Sequence, residues 1–250
     1  MNMTVSAFLV QYCRHMHMRT AADRSMATYE DCVREAGDWG PWQWRMEAAM
    51  LAPAAAASMA TLSWLFTARP RPPDPAPAHY SVLTDLGAEA GGWVASLLPP
   101  AFMLGMLVGG PALGLLSDRA GRRAGLLASL ALVAGAASLL PLLPHSAPWH
   151  ASWRLVAGAG TQGALVTTFV YLVEWPGAGR GGAGWRLVAA LGLHLGWGLG
   201  QALLVLASCL LPDWRHLHWA TAAPALLAAA TTCWLPESAR WVQCWVTSAG

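Results

Sequence analysis

A short charged turn lies between two long uncharged segments of the chain. The turn, residues 114–123 (GLLSDRAGRR), holds one aspartate and three arginines, whereas the runs 93–117 and 124–144 hold no charged residue. Uncharged apolar runs of about 20 residues cross a bilayer as helices. Arginines concentrate on the cytoplasmic side of such helices. The sequence therefore predicts two membrane spans joined by a tight turn at the cytoplasmic face.

Composition places the whole chain in the same class. Hydrophobic residues make up 56% of the 250 residues and charged residues only 11%, whereas soluble domains carry about 25% charged residues. The net charge of +2, without a basic patch interleaved with aromatics, argues against nucleic-acid binding. The five cysteines form no CxxC pair, and no cofactor motif or metal cluster is predicted.

The apolar blocks predict an all-α polytopic membrane protein with both termini in the cytoplasm. An Ala-rich first span is the weakest of the six. Glycines spaced by four in the second and fifth spans predict faces where helices pack closely. The predicted spans are 48–66, 93–117, 124–143, 152–173, 187–211 and 216–235.

Three further segments complete the predicted organisation. Residues 1–28 are predicted to be a disordered cytoplasmic tail, and 29–47 an amphipathic segment lying at the membrane interface. Residues 242–250 form the cytoplasmic end. Cys13, His15 and His17 in the tail offer metal-ligand chemistry, but no second ligand cluster follows, which favours the disordered interpretation.

Two motifs carry a resemblance to a known family. The pattern Gly-x-x-x-Asp-Arg-x-Gly-Arg-Arg at 114–123 resembles the signature loop between helices 2 and 3 of major facilitator superfamily transporters. The run LPESARW at 235–241 is similar to the LPESPRW segment of the organic cation/anion transporter branch (solute carrier family 22), with Ala239 in place of proline. The resemblance implies the six-helix N-terminal bundle of the major facilitator fold, in the plasma membrane.

By this resemblance the charged turn has a mechanical role. Asp118 is expected to face a helix end of a second transporter half, and Arg122 or Arg123 to pair with Glu174. The alternative is that these arginines only set topology and bind lipid phosphates, and both roles are compatible. The gating or conformational residues implied by the resemblance are Gly114, Asp118, Arg119, Gly121, Arg122, Arg123, Arg154, Glu174, Glu237 and Arg240.

Arg154 lies within the fourth predicted span, and two interpretations of it stay open. A charged residue inside a span is costly unless it reaches the interface or finds a partner. Arg154 either extends to the headgroups at the outer face or, as the resemblance implies together with Gly158, acts as a structural and coupling residue.

The resemblance also implies a substrate path between the first, second, fourth and fifth spans. Relatives that move organic cations commonly have Lys, Trp and Tyr where this chain has Gln162, Leu165 and Phe169 in the fourth span. Because these residues differ, the resemblance does not predict the charge of the substrate. Packing is the alternative role for each of these side chains. The substrate-path candidates are Gln162, Leu165, Phe169, His194 and Trp197.

These observations predict transmembrane transport of small organic ions by alternating access, as part of a solute carrier. The superfamily builds its path between two six-helix halves, and this chain matches one half. Membrane lipid, an organic ion and a second half or homodimer are the predicted partners. The alternative function is that of a non-transporting half protein that modulates a partner transporter or is inactive. An enzyme ranks last, since no catalytic constellation occurs.

Overall fold

The computed structural model describes residues 41–69, 80–87, 92–142, 146–174 and 180–238. These residues form helices and turns, with no strand among them, so the predicted all-α class is confirmed. A one-turn helix precedes the second long helix, and a 3-10 turn follows the third. The six long helices are α1 Pro41–Thr67, α2 Trp93–Ala120, α3 Arg122–Leu139, α4 Ala147–Glu174, α5 Arg180–Leu210 and α6 Trp214–Trp234.

Five helices within the described residues, α1 to α5, are long and apolar enough to cross a membrane. Helix α6 has 21 residues and carries Arg215, His216 and His218 near its N-terminus, which lowers its hydropathy. The first span, predicted to be the weakest, belongs to the five. The sixth span and the sides of the membrane on which the loops lie stay predictions.

Helix α1 shows no break at the predicted boundary between an interfacial segment and the first span. It runs without interruption from Pro41, and residues 29–40 lie outside the described part of the chain. Proline suits the first position of a helix, because an N–H at that position would have no partner within the helix.

The packing of the first three long helices is repeated by the last three. Helix α2 packs mainly on α4, as α5 packs mainly on α1, and α3 and α6 fill the space between these pairs. Inverted repeats of three helices are a known feature of transporter halves. The core lies where α1, α3, α4 and α6 meet, around Met50, Leu126, Leu130 and Leu172.

Glycines set how closely the paired helices approach. A Cβ on Gly105 would overlap the Leu155 backbone, and a Cβ on Gly158 would overlap the carbonyl oxygen of Phe102. Gly196 and Gly200 of α5 face α1 in the same way. Because packing rather than water drives helix association in lipid, these glycines fix the positions of α2 and α5.

Helices α2 and α5 flank the bundle and leave apolar faces uncovered. In the most apolar 18-residue stretch of each helix, only 22% of α2 and 28% of α5 is buried, whereas 50% is buried in α1, α3 and α4. Exposed leucines recur along both helices, for example Leu107 and Leu195. Such faces suit contact with lipid or with another apolar bundle.

Candidate functional site at the charged turn

Within the charged turn, a single residue separates the two helices. Helix α2 ends at Ala120 and α3 begins at Arg122, so Gly121 alone makes the reversal. Its φ of 103° lies in the region that favours glycine. A Cβ at this position would also meet the carboxylate of Glu237. The two constraints explain why a glycine occupies the turn.

Helices α3 and α6 cap each other across this turn. The backbone N–H of Arg123 donates to both oxygens of Glu237, at 3.1 and 3.3 Å. The guanidinium of Arg123 in return donates to the carbonyl of Cys233, in the last turn of α6, at 2.5 Å. A carboxylate at a helix N-terminus and a cation at a C-terminus both complement the helix dipole. The two ends are therefore held together electrostatically.

Arg122, rather than Arg123, makes the ion pair with Glu174. Its Nη2 lies 2.7 Å from Oε1, and its Nε lies 3.0 and 3.2 Å from the two carboxylate oxygens. The hydroxyl of Ser238 donates to the same carboxylate at 2.5 Å. Both charged side chains are only 14% exposed, and bidentate pairs of this kind are strong and directional.

Asp118 extends the network towards solvent. It accepts a hydrogen bond from Nη1 of Arg122, while its side chain stays 61% exposed. A Cβ added to Gly114, one turn earlier on α2, would meet no atom of the described residues within 4 Å. Arg119 is exposed, and Arg240 lies outside the described part of the chain. The stretch of α2 from Gly114 to Asp118 is therefore the open stretch of this helix, where the described residues leave room for a neighbouring helix.

The network joins the ends of four helices. Besides the contacts above, the phenol of Tyr171 in α4 donates to the carbonyl of Pro236, just after α6, at 2.5 Å. Its other members come from α2, α3 and the residues that follow α6. The described residues contain no group of three His, Cys, Asp or Glu side chains placed to hold a metal ion. These contacts hold the ends of the four helices together.

Sequence reasoning placed Glu237 among the gating residues without identifying its partner, Arg123, and it missed Ser238. Glu237 lies 114 positions from Arg123, so no local pattern joins them. The signal available was the motif itself, since the LPES run places an acid and a hydroxyl directly after an apolar helix.

Glu47 is a second side chain that the sequence reasoning missed. It lies in the first turns of α1, is 6% exposed, and neither carboxylate oxygen has a hydrogen-bond partner among the described residues. A Cβ on Gly192 of α5 would overlap this carboxylate, so the glycine makes the space for it. The available signal was an acid within an apolar helix, which is expensive in a membrane.

The substrate-path candidates lie on partly open faces of α4 and α5. Gln162 and Leu165 are half-buried, and Phe169 is 40% exposed. His194 is exposed, with Nδ1 2.6 Å from the carbonyl oxygen of Ala190 in its own helix, and Trp197 is half-buried. Their role in binding a substrate stays a prediction.

Arg154 lies towards the opposite end of the bundle, in its interior. The residue is 5% exposed, so the interpretation in which it reaches the headgroups is wrong. Its Nη1 donates to the hydroxyl of Ser63 at 3.2 Å. The guanidinium carbon lies 4.9 Å from the centroid of the Phe102 ring and 5.4 Å from that of Trp64. Both distances are within the range of cation–π attraction.

Comparison with known proteins places these features in one family. Residues 77–243 match the family described as the Major Facilitator Superfamily. Organic anion transporter 3 of Rattus norvegicus is 32% identical over 141 residues, which cover 56% of this chain and 25% of that protein. Solute carrier family 22 member 12 of the same species is 35% identical over 141 residues, with 56% and 24% covered.

A solved structure shares the fold. The proton:xylose symporter XylE, bound to 6-bromo-6-deoxy-D-glucose, superposes with a TM-score of 0.64 at 17% identity. The match covers 81% of this chain and 46% of that one. The chain spans about a quarter of the length of the curated relatives it matches.

Proposed function

Because the chain belongs to the Major Facilitator Superfamily, we propose that it forms one half of a membrane transporter that moves small organic ions by alternating access. Relatives named organic anion transporter 3 favour organic anions as the substrates. In this proposal the charged turn faces the cytoplasm, both termini lie on that side, and the protein resides in the plasma membrane.

The network around Arg122 and Glu174 is the observation that carries the proposal. It ties the ends of α3, α4 and α6 together through contacts of 2.5–3.3 Å, and Asp118 at the end of α2 joins them through its ion pair with Arg122. Alternating access needs halves that rock as largely rigid bodies. A unit tied at one end can move as a whole against a second half.

The open stretch of α2 gives the second half a place to dock. Asp118 keeps a largely exposed carboxylate next to Gly114, where a neighbouring helix can approach closely. A negative charge facing the N-terminus of an incoming helix is favourable. Docking in one state and separation in the other would bias the equilibrium between inward- and outward-open forms.

The second candidate function is that of a half protein that binds and modulates a partner transporter without transporting. The apolar faces that α2 and α5 leave uncovered, with only 22% and 28% of their most apolar stretches buried, favour this alternative. It uses the same open faces of α2 and α5, but predicts no transport by the chain itself.

Uptake into cells separates the two functions. Cells expressing this chain, with surface expression verified, are offered 6-carboxyfluorescein as an organic anion and labelled tetraethylammonium as an organic cation. The transporter proposal predicts uptake of at least one probe above that of empty-vector cells. Asp118→Asn abolishes this uptake, whereas Arg186→Gln, which changes an exposed arginine of α5 outside the gating set, retains most of it. Background uptake of both probes contradicts transport by the chain and favours the modulating half protein.

A further inference from the structure

Arg154 brings a permanent charge into the bundle, and none of the described residues supplies a carboxylate to balance it. A guanidinium keeps its proton under all protein conditions. Within the described residues its only hydrogen bond is to the neutral hydroxyl of Ser63, and its Nε has no acceptor. The Phe102 and Trp64 rings offset part of the cost. An uncompensated charge in a protein interior is nevertheless strongly unfavourable.

Arg154 is one of the residues that line a small cavity. Its volume is about 20 Å³, and α1, α3, α4 and α6 all contribute to its wall. One ordered water needs about 10–15 Å³, so the cavity has room for a single water molecule or a small ion. The polar residues that line it are Ser63, Trp153, Arg154, His218 and Thr221.

The polar groups at the cavity offer hydrogen-bond donors. The indole N–H of Trp153 is buried and, like Nε of Arg154, has no acceptor among the described residues. Indole and guanidinium nitrogens donate only. The hydroxyl of Thr221 now donates to the carbonyl of His218 in its own helix, at 2.7 Å, and a hydroxyl rotates to suit a new acceptor. Unused donors beside a buried cation match an anion better than a water molecule.

We propose that this cavity binds a small monovalent inorganic anion, with chloride as the abundant example, held by the guanidinium of Arg154 and the indole N–H of Trp153. The anion neutralises the buried charge and accepts the donors that otherwise lack partners. The cavity that it fills is walled by α1, α3, α4 and α6, at the end of the bundle opposite the charged turn. The proposal does not depend on whether the chain transports an organic ion.

Glu47 shows why the same argument does not create a site there. It is also buried without a partner among the described residues, but a carboxyl group can become neutral by binding a proton. An arginine has no such route, so only Arg154 requires a counter-ion.

Thermal unfolding in two salts tests the site. The purified full chain in detergent is unfolded at constant ionic strength while chloride replaces gluconate, an anion too large for the cavity. We expect the Tm to rise with the logarithm of the chloride concentration above the dissociation constant, and by about 4 °C at ten times that constant. Equal Tm values in chloride and gluconate overturn the proposal and leave the cavity to water.

Three variants locate the effect. Arg154→Gln removes the charge and should abolish the chloride dependence. Trp153→Phe keeps a ring but loses the N–H, so about tenfold more chloride should be needed for the same rise in Tm. Arg69→Gln is the matched control, because Arg69 also stacks on rings, Phe66 and Tyr80 at 5.8 Å, and does not line the cavity.

The variants can also overturn the assignment. A chloride dependence that persists in Arg154→Gln, or that disappears in Arg69→Gln, places the anion elsewhere. If Arg154→Gln does not fold, Trp153→Phe decides: an unchanged chloride response in that variant contradicts the proposal.

Discussion

The two ends of the bundle treat arginine in opposite ways. At the charged turn, Arg122 is 14% exposed and bonds to the carboxylates of Glu174 and Asp118. At the rim of the opposite end, Arg215 pairs with Asp85 at 3.1 Å. Arg154, deeper in the same end, has two aromatic rings and one hydroxyl instead. Carboxylates thus balance charge at the rims, whereas the interior balances it with rings and, we propose, a bound anion.

This difference predicts what holds each end together. The charged end depends on ion pairs and helix caps, which water and salt can reach. The opposite end depends on close backbone approach and on the balance of one buried charge. The substitutions that follow, taken from the largest expected effect to the smallest, separate these contributions.

Arg122→Met should lower the free energy of unfolding by about 3 kcal/mol, because it leaves the largely buried carboxylate of Glu174 without its cation. The measurement is unfolding in detergent, followed by circular dichroism. Arg119→Met, which changes an exposed arginine of the same turn, should alter the free energy by less than about 0.5 kcal/mol.

The double variant Arg122→Met/Glu174→Met distinguishes a lost pair from a lost side chain. Replacing both partners removes the unpaired charge, so the double variant should be more stable than Arg122→Met alone. Purely additive losses would mean that the two residues do not act as a pair.

Gly158→Ala should cost about 2 kcal/mol, since the new methyl group would overlap the carbonyl oxygen of Phe102 and force α2 away from α4. The same shift separates the Phe102 ring from Arg154. Gly198→Ala is the matched control, because a Cβ there has nothing within 4 Å, and it should not destabilise the protein. A similar loss in both variants would contradict the role of close packing.

Glu237→Ala should cost about 1 kcal/mol, the usual value of a helix N-terminal cap. The loss frees the backbone N–H of Arg123, which now donates at 3.1 Å. Glu237→Gln keeps an acceptor at this position, so its loss should be less than half as large. Equal losses in the two variants would show that the charge, and not the hydrogen bond, stabilises the turn.

Glu47→Gln should change the free energy of unfolding by less than about 0.5 kcal/mol, or raise it, since a change that removes no contact has a small effect. The carboxylate has no partner among the described residues, so a neutral amide of the same shape loses no contact. The same unfolding assay measures it. A clear loss of stability would reveal a partner for Glu47 and remove the contrast with Arg154.

Much of the fold could be predicted from the sequence because long apolar runs predict membrane helices. The turn at 114–123 followed from the charges between two apolar runs, and the pairing of Glu174 with one of two arginines followed from the family resemblance. The choice of Arg122 over Arg123 did not, because it depends on which side of α3 faces α4. The start of α1 at Pro41 was also missed, because the first span was predicted to begin at residue 48. No sharp change in composition marks the point where the helix begins.

Contacts between distant segments were beyond the sequence. The bond of Trp214 to Asp85 joins residues 129 positions apart, and the surroundings of Arg154 come from four helices. A charged residue in an apolar run indicates that a partner exists. Its identity, whether headgroup, aromatic ring or ion, depends on rotations of helices that one sequence does not specify.

The orientation of the charged turn is the central claim, because every proposed movement depends on it. The direct measurement labels single cysteines, in an otherwise cysteine-free chain, with a membrane-impermeant maleimide. Arg119→Cys, at the exposed end of α2, should react only after the cells are permeabilised, whereas Pro212→Cys, in the exposed turn before α6, should react in intact cells. Labelling of Arg119→Cys in intact cells would place the turn outside and contradict the account.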